Sequence, residues 1–187
     1  MTRLIILDRD GVINEDSDQY IRGLEDWHPI PGSIEAIARL SQAGFEVAIA
    51  TNQSGLARGY FGLDELEAIH DRLRALVAAA GGEVGVIAYC PHLPDEGCDC
   101  RKPRTGLLDT IHRELLLPLE GAPFVGDSLK DLQAAQAAGC QPVLVTTGKG
   151  RATCNAISVD GVALRSPASI PVFPDLAAAV DAILTDD

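Results

Sequence analysis

Two aspartates, Asp8 and Asp10, follow a short apolar run near the start of the chain, with Arg9 between them and Gly11 directly after them. Side chains at positions i and i+2 leave an extended strand on the same side, so both carboxylates can face one cleft. Carboxylates this close repel each other unless a cation lies nearby, and oxygen ligands of this kind suit Mg²⁺. The pair therefore predicts a magnesium site, with a solvated turn as the alternative.

Polar residues also follow three later apolar runs. Thr51 ends the run VAIAT, and its hydroxyl, with the backbone N–H groups after it, can hold a phosphate. Lys102, in the stretch CRKPRTG, can neutralise both Asp8 and an incoming phosphate. Asp127 follows APFVG and can be a third metal ligand, and Asp131, one helical turn later, can hold Lys102. The alternatives are a plain turn at Thr51, a solvated basic loop at Lys102 and an acid favoured by the helix dipole at Asp131.

Three of the five cysteines lie with a histidine in the stretch CPHLPDEGCDC, as Cys90, His92, Cys98 and Cys100. Three thiolates and one imidazole can close a tetrahedral Zn²⁺ site, and four protein ligands leave no open position for catalysis. The loop has few apolar residues, so a bound metal would be a physical reason for it to be ordered. A structural zinc site is predicted, against the alternative of unrelated thiols. The odd cysteine count argues against a disulfide framework.

The elements that must position these residues are alternating strands and helices. The predicted strands are RLIILD, FEVAIATN, VGVIAYC, APFVGD and QPVLVTT, and amphipathic stretches between them predict helices. Ser33 is expected to cap the first helix, and Asp64 with Glu67 the second. The stretch from about Gly148 to Val172 is expected to be irregular, with a short strand near VALRS. The alternation predicts a mainly parallel sheet, and ligands of such sheets bind outside the carboxyl ends of the strands.

The composition of the chain limits which kinds of partner it can bind. Its 187 residues suit one domain over 1–187, and a formal net charge of −12 opposes binding to nucleic acid or to anionic membranes. The first residues do not form a signal peptide, and no apolar stretch is long enough to span a membrane. We therefore expect a cytoplasmic protein, and a monomer because no long exposed apolar stripe is evident.

The segments DRDG, TN, K and GDSLKD, in this order, resemble the four motifs of the haloacid dehalogenase-like phosphohydrolase superfamily. The resemblance implies a Rossmann-like three-layer α/β sandwich and a phosphatase with an aspartyl-phosphate intermediate. It implies that Asp8 is the nucleophile and that Asp10 is the general acid and base. It further implies that Asp8, the Asp10 backbone carbonyl and Asp127 bind Mg²⁺, while Thr51 and Lys102 hold the phosphoryl oxygens.

The resemblance spans roughly residues 4 to 148. A cap domain would need an insertion after DRDG or after TNQ, and neither connection is long enough to hold one, so a capless enzyme is expected. Its substrate would be small and enclosed by loops. The residues predicted to bind this substrate are Arg9, Asp16, Tyr20, Asn52, Gln53, Ser54, Arg58 and Arg101.

The zinc loop narrows the resemblance to the heptose bisphosphate phosphatase branch of the superfamily. That branch removes the 7-phosphate of D-glycero-D-manno-heptose 1,7-bisphosphate in ADP-heptose and lipopolysaccharide core biosynthesis. The related histidinol-phosphate phosphatases share the motifs. Histidinol phosphate, or another small sugar phosphate, is therefore the alternative substrate. Two features depart from some members: the zinc loop is shorter, and Ser128 follows Asp127 where some carry Lys.

Two other functions compete with hydrolysis. A non-catalytic, zinc-stabilised binding module would need no nucleophile, so the set Asp8, Asp10, Thr51, Lys102 and Asp127 argues against it. A phosphotransferase would use the same residues with an alcohol in place of water.

Overall fold

The computed structural model describes residues 3–158 and 163–185. Strands and helices alternate along these residues as the sequence predicts. The strands are β1 (Arg3–Leu7), β2 (Phe45–Asn52), β3 (Ile87–Cys90), β4 (Pro123–Gly126), β5 (Gln141–Val145) and β6 (Val172–Phe173). The α-helices are α1 (Ser33–Gln42), α2 (Leu63–Ala79), α3 (Gly106–Leu115), α4 (Leu129–Ala137), α5 (Gly150–Ile157) and α6 (Leu176–Thr185).

The six strands form one sheet in the order β3-β2-β1-β4-β5-β6, and every neighbouring pair is parallel. Helices α1, α2 and α6 contribute to the apolar core on one face, and α3 and α4 to the core on the other. The strand order changes direction between β1 and β4, the position at which open α/β sheets form a ligand crevice. The predicted three-layer α/β fold is confirmed.

Strand β1 shows why the apolar run is continuous. Ile5 and Leu7 lie in the core under α1 and α2, whereas Leu4 and Ile6 lie in the core under α3 and α4. Side chains alternate between the faces of a strand, and both faces of this sheet are covered. The run therefore places β1 in the middle of the molecule, and its carboxyl end reaches the crevice.

Two helix starts differ from the prediction. Ser33 is the first residue of α1 rather than its cap, and its hydroxyl donates to the Ile13 carbonyl at 2.6 Å. Helix α2 is capped at Gly62, whose N–H donates to Glu65 Oε2 at 2.8 Å, so the expected box of Asp64 and Glu67 is wrong. In both cases the helix is preceded by a glycine. At α1 the contact with Ile13 occupies the Ser33 hydroxyl, and at α2 the helix begins at Leu63, so Glu65 is the residue that reaches the N–H of Gly62.

The stretch after β5 contains more structure than expected. Helix α5 occupies Gly150–Ile157, and β6 joins the edge of the sheet after a short 3₁₀ helix at Pro167–Ser169. The core-facing residues of α5 include Gly150 and Thr153, which are not large apolar residues, so the sequence shows no apolar periodicity that would predict this helix. Of the strand expected near VALRS, residue 162 lies outside the described residues, and 163–166 form no strand.

The connections around the crevice are short. Residues 8–32, between β1 and α1, contain turns and two isolated bridges, Asp10 to Asn14 and Asn14 to Pro29. Residues 53–62, between β2 and α2, contain turns but no helix or strand. Neither connection holds a cap domain, as expected. Within the described ranges no helix has both the length and the apolar character needed to cross a membrane.

Candidate active site and cysteine-histidine cluster

A cleft of about 730 Å³ lies at the carboxyl edge of the sheet. Most of the predicted site residues meet there, although they come from separate parts of the chain. The predicted residues that line it are Asp8, Asp10, Asp16, Tyr20, Thr51, Asn52, Gln53, Ser54, Arg101, Lys102, Asp127 and Asp131. The sheet topology thus brings residues at or after the ends of four different strands together in one site.

Three carboxylates cluster at the floor of the cleft. One oxygen from each of Asp8, Asp127 and Asp131 lies within 4.8 Å of the others, and all three residues are buried. Burial raises the pKa of Asp8 well above its ordinary value, and the nearby Asp131 charge adds to this effect. Burial, with the Asp131 charge, raises the pKa of Asp127 to about 7. A divalent cation with oxygen ligands fits this group, because it would relieve the desolvation and the repulsion.

Lys102 is the cation that the protein itself places in the cluster. Its Nζ lies 2.8 Å from Asp8 Oδ1 and 2.6 Å from Asp131 Oδ1, and it donates to the Ala50 carbonyl at 2.7 Å. Burial alone would lower the pKa of Lys102, but the two carboxylates outweigh burial and raise it. The ammonium is therefore a fixed positive charge beside Asp8. The expectation that Asp131 holds Lys102 agrees with this contact.

Hydrogen bonds fix the segments that carry Lys102 and Asp131. The side chain of Asn52, at the end of β2, accepts from the Lys102 N–H at 3.1 Å and donates to the Lys102 carbonyl at 3.2 Å. Ser128 caps α4, and its N–H and hydroxyl donate to Asp131 Oδ2 at 3.0 and 2.7 Å. The serine at this position thus orients the carboxylate that binds the lysine.

Asp127 is enclosed by two glycines and by the start of α5. A Cβ on Gly11 or on Gly148 would lie 2.1 or 2.2 Å from Asp127 Oδ2, and both glycines have a positive φ. The Lys149 N–H donates to the same oxygen at 2.7 Å, and the Thr153 hydroxyl donates to the Asp127 carbonyl at 2.7 Å. Only glycine allows the backbone to approach this carboxylate so closely.

The Asp10 carboxylate is directed toward different partners. Its Oδ1 accepts from Arg9 Nε at 3.0 Å and from Asn14 Nδ2 at 2.9 Å, and its Oδ2 accepts from Gln53 Nε2 at 2.9 Å. Burial would raise the pKa of Asp10, but the Arg9 charge and these hydrogen bonds outweigh burial and lower it. Gln53 also donates to the Thr51 hydroxyl at 2.9 Å, which links the ends of β1 and β2.

Arg9 is not placed to bind substrate, and that prediction is wrong. Its side chain is fully buried and does not line the cleft. The guanidinium forms an ion pair with Asp10 at 2.9 Å, and Nη1 lies 3.4 Å from Nε2 of His70 in α2. His70 is also buried, and burial, with the Arg9 charge, lowers its pKa to about 3. A buried neutral imidazole therefore faces a buried guanidinium.

Loops from both sides of the sheet form the walls of the cleft. Asp16 lines it and forms a 3.1 Å ion pair with Lys149. Tyr20, with a φ of 68°, packs edge to face on Tyr60 at 5.1 Å between ring centroids. Arg58 does not line the cleft itself, but its guanidinium lies 5.9 Å from the Tyr20 ring and supports that wall.

Two basic residues that were not predicted from the sequence, Lys130 and Lys149, complete the site. All three lysines of the chain, Lys102, Lys130 and Lys149, line the cleft together with Arg101. The charges of Arg101 and Lys149 help to lower the pKa of Lys130, after the effect of burial, so these groups lie close together. Lys130 lies within GDSLKD and Lys149 follows β5, but the only signal for either as a site residue was the rarity of lysine in a chain of net charge −12.

The four predicted zinc ligands converge beside the cleft. The sulfur atoms of Cys90, Cys98 and Cys100 lie 3.1 to 3.7 Å apart, and His92 Nδ1 lies 3.2 and 3.6 Å from two of them. Thiolates about 2.3 Å from a tetrahedral Zn²⁺ would lie about 3.8 Å apart, so the donor set fits the ion. Arg101 Nη1 donates to the His92 carbonyl at 3.2 Å, so this loop also positions a residue of the cleft.

Comparison with known proteins adds to this geometry. A family model described as HAD-hydrolase-like matches residues 99–178. The chain is 62% identical to the D-glycero-beta-D-manno-heptose-1,7-bisphosphate 7-phosphatase of Pseudomonas putida, over 94% of this chain and 96% of the relative. It is 60% identical to the enzyme of that name from Pseudomonas aeruginosa, over 97% of each chain. The D,D-heptose 1,7-bisphosphate phosphatase of Bordetella bronchiseptica, solved with magnesium and phosphate, superposes with a TM-score of 0.92 at 49% identity over 100% of both chains.

Proposed function

The chain belongs to the haloacid dehalogenase-like hydrolases, in the family of the heptose-1,7-bisphosphate 7-phosphatases, and on that basis we propose that it removes the 7-phosphate of D-glycero-D-manno-heptose 1,7-bisphosphate. The observation that carries this proposal is the grouping of Asp8 with Asp127 and Lys102. A buried carboxylate lies beside an ion-paired lysine and within 4.8 Å of further carboxylates, at the edge of the sheet where substrates bind.

Asp8 is the nucleophile in the proposed mechanism. Its carboxylate attacks phosphorus and forms an aspartyl-phosphate, while the sugar oxygen departs. Asp8, Asp127 and the Asp10 backbone carbonyl would hold a Mg²⁺ ion, which supplies positive charge to offset repulsion between the carboxylate and the phosphate. Lys102 and the Thr51 hydroxyl, both on the cleft wall, hold the phosphoryl oxygens as their charge redistributes.

Asp10 moves the protons. It protonates the departing sugar oxygen and then accepts a proton from the water that hydrolyses the aspartyl-phosphate. Its three donors, Arg9, Asn14 and Gln53, keep the carboxylate in place for both steps. Because Asp10 lies outside the cluster of Asp8, Asp127 and Asp131 among the described residues, its carboxylate is free of the metal ligand set.

The second phosphate of the substrate accounts for the additional cations. Arg101, Lys130 and Lys149 line the cleft beyond Lys102, and they bring positive charge to this part of an acidic chain. A monophosphate would require only the charges at the floor of the cleft. We assign Arg101 and Lys130 to the phosphate that is not transferred, and Asp16, Tyr20, Asn52, Gln53 and Ser54 to the walls around the sugar.

Cys90, His92, Cys98 and Cys100 would bind a structural Zn²⁺, a role that the close approach of their donor atoms supports. We further propose that the chain acts as one domain over 1–187, as a monomer and in the cytoplasm. Light scattering of the purified protein tests the monomer: a mass of about twice 19.7 kDa would contradict it.

Kinetics on matched substrates test the proposed function. With Mg²⁺ present, kcat/KM is measured for the heptose 1,7-bisphosphate, the heptose 1-phosphate and histidinol phosphate, and phosphorus NMR identifies the phosphate released. We expect the bisphosphate to be preferred and inorganic phosphate to come from C7. A higher kcat/KM for histidinol phosphate, or release from C1, would contradict the proposal. Added alcohols test for phosphotransfer, since a transferase would yield a new phosphate ester in place of inorganic phosphate.

A further inference from the structure

Arg9 and His70 are both buried and polar, and the mechanism gives no role to His70. Arg9 follows the nucleophile and precedes the general acid, and its side chain has no exposed surface. His70 lies on α2, with 2% of its surface exposed. Burying a guanidinium and an imidazole costs free energy unless both are paired, so their contact calls for a specific role.

The guanidinium of Arg9 connects Asp10 to His70. On one side, Nε and Nη2 donate to the two oxygens of Asp10 at 3.0 and 3.2 Å. On the other side, Nη1 lies 3.4 Å from Nε2 of His70. A guanidinium is planar and rigid, so the position of one edge determines the position of the other. The neutral imidazole can accept from Nη1 because one of its ring nitrogens carries a lone pair.

We propose that His70 is a positioning residue for catalysis: through Arg9 it holds the Asp10 carboxylate in the orientation that delivers a proton to the departing oxygen. This inference rests on the proposed function of Asp10. Asn14 and Gln53 each donate one hydrogen bond to Asp10, whereas Arg9 contacts both of its oxygens and thereby fixes the plane of the carboxylate. Without an acceptor at position 70, the guanidinium turns toward another acceptor and carries Asp10 with it.

The dependence of kcat/KM on the leaving group distinguishes a role in positioning Asp10 from a role in stabilising the fold alone. An alkoxide leaving group needs protonation by Asp10, whereas p-nitrophenolate departs without it. The value of kcat/KM covers the steps through departure of the leaving group, so the two kinds of substrate report separately on acid catalysis. We expect His70→Leu to lower kcat/KM for the sugar bisphosphate about tenfold or more, and for p-nitrophenyl phosphate less than about twofold.

Two other variants at position 70 separate hydrogen bonding from packing. His70→Gln keeps an acceptor within reach of Arg9 and is expected to return the ratio of the two kcat/KM values to within about threefold of wild type. His70→Asn is too short to reach Arg9 and is expected to behave like the leucine variant. If His70→Leu does not fold, the comparison of the Gln and Asn variants, both checked by circular dichroism, decides the question.

Ile69→Val is the control for a change in the stability of α2, because Ile69 is buried in the apolar core on the same helix. It should leave the substrate ratio unchanged. Equal losses on both substrates in His70→Leu, or equal ratios in the Gln and Asn variants, would overturn the inference. A wild-type enzyme that fails to hydrolyse the bisphosphate would instead contradict the proposed function, and the ratio is then measured with an alkyl phosphate that it does hydrolyse.

Discussion

Lys102 Nζ lies 2.8 Å from Asp8 Oδ1, although Asp8 follows β1 and Lys102 lies in the loop after β3. Lys102 has 2% of its surface exposed, and Asp8 has 8%. The same ammonium binds Asp131, so one buried cation faces two carboxylates. This arrangement prepares the site for a phosphate and links the stability of the fold to the chemistry of the site.

Replacing Lys102 by Met should reduce both stability and activity. The substitution leaves Asp8 and Asp131 buried without their shared cation, and breaking such a pair costs about 3 to 5 kcal/mol. Urea unfolding measures this loss, and kcat/KM should fall by more than about 100-fold. The matched control is Lys149→Met: the pair between the exposed Lys149 and the partly buried Asp16 should contribute less than about 1 kcal/mol. Equal destabilisation by the two variants would contradict this account.

Removal of the proposed zinc site should destabilise the protein. Cys100→Ser removes a sulfur that lies 3.1 Å from Cys90 and 3.6 Å from Cys98. We expect the zinc content, measured by elemental analysis, to fall from about one ion per chain to near zero. The melting temperature should fall by about 10 °C, since metal binding contributes to folding. Cys154→Ser, outside the cluster, should keep both values; a zinc-free wild-type protein of full stability would refute the site.

Lys130→Ala should discriminate between substrates. Lys130 lines the cleft, and among the described residues no ion pair joins it to Asp8 or Asp127, although the Asp131 charge acts on it. We expect KM for the bisphosphate to rise about tenfold with little change in kcat, and KM for a sugar monophosphate to stay within about twofold. Arg151→Ala, which removes an exposed cation outside the cleft, is the control. An equal rise in KM for both substrates would show that Lys130 acts on the transferred phosphate.

The burial of His70 should make the stability of the fold depend on pH. Its folded pKa of about 3 lies below the ordinary value of 6.5, so the unfolded chain binds a proton that the folded protein does not. The folded state therefore has its full stability above the pKa of His70 in the unfolded chain, and it loses stability as the pH falls below that value. Between pH 7.5 and 5, wild type should lose about 2 kcal/mol more unfolding free energy than His70→Gln. Ile69→Val should keep the wild-type pH dependence; identical losses in wild type and His70→Gln would contradict the burial argument.

Much of the fold could be predicted because buried strands have a local signal. The run FEVAIATN predicts β2 with the observed bounds, Phe45–Asn52. Helix α5 could not be found, because the residues it turns inward, such as Gly150 and Thr153, are small or polar. The helix caps at Gly62 and Gly32 depend on tertiary contacts that a single sequence does not reveal.

The site could be predicted where its residues follow strands. Asp8 and Asp127 follow β1 and β4, Thr51 lies near the end of β2, and the topology of a parallel sheet brings strand ends together. Lys149 and His70 could not be found, because their contacts with Asp127 and Arg9 exist only after folding. The same reason explains the error at Arg9: an arginine between two aspartates is expected to be exposed, and its burial depends on α2.

The measurement that tests the account most directly is kcat/KM of Asp8→Asn on the heptose bisphosphate. The substitution preserves the shape of the side chain and removes its negative charge, so the variant should fold but lack the nucleophile. We predict a loss of at least about 10⁴-fold, with an unchanged circular dichroism spectrum. A folded Asp8→Asn variant that keeps kcat/KM within about tenfold of wild type would contradict attack by Asp8 on phosphorus.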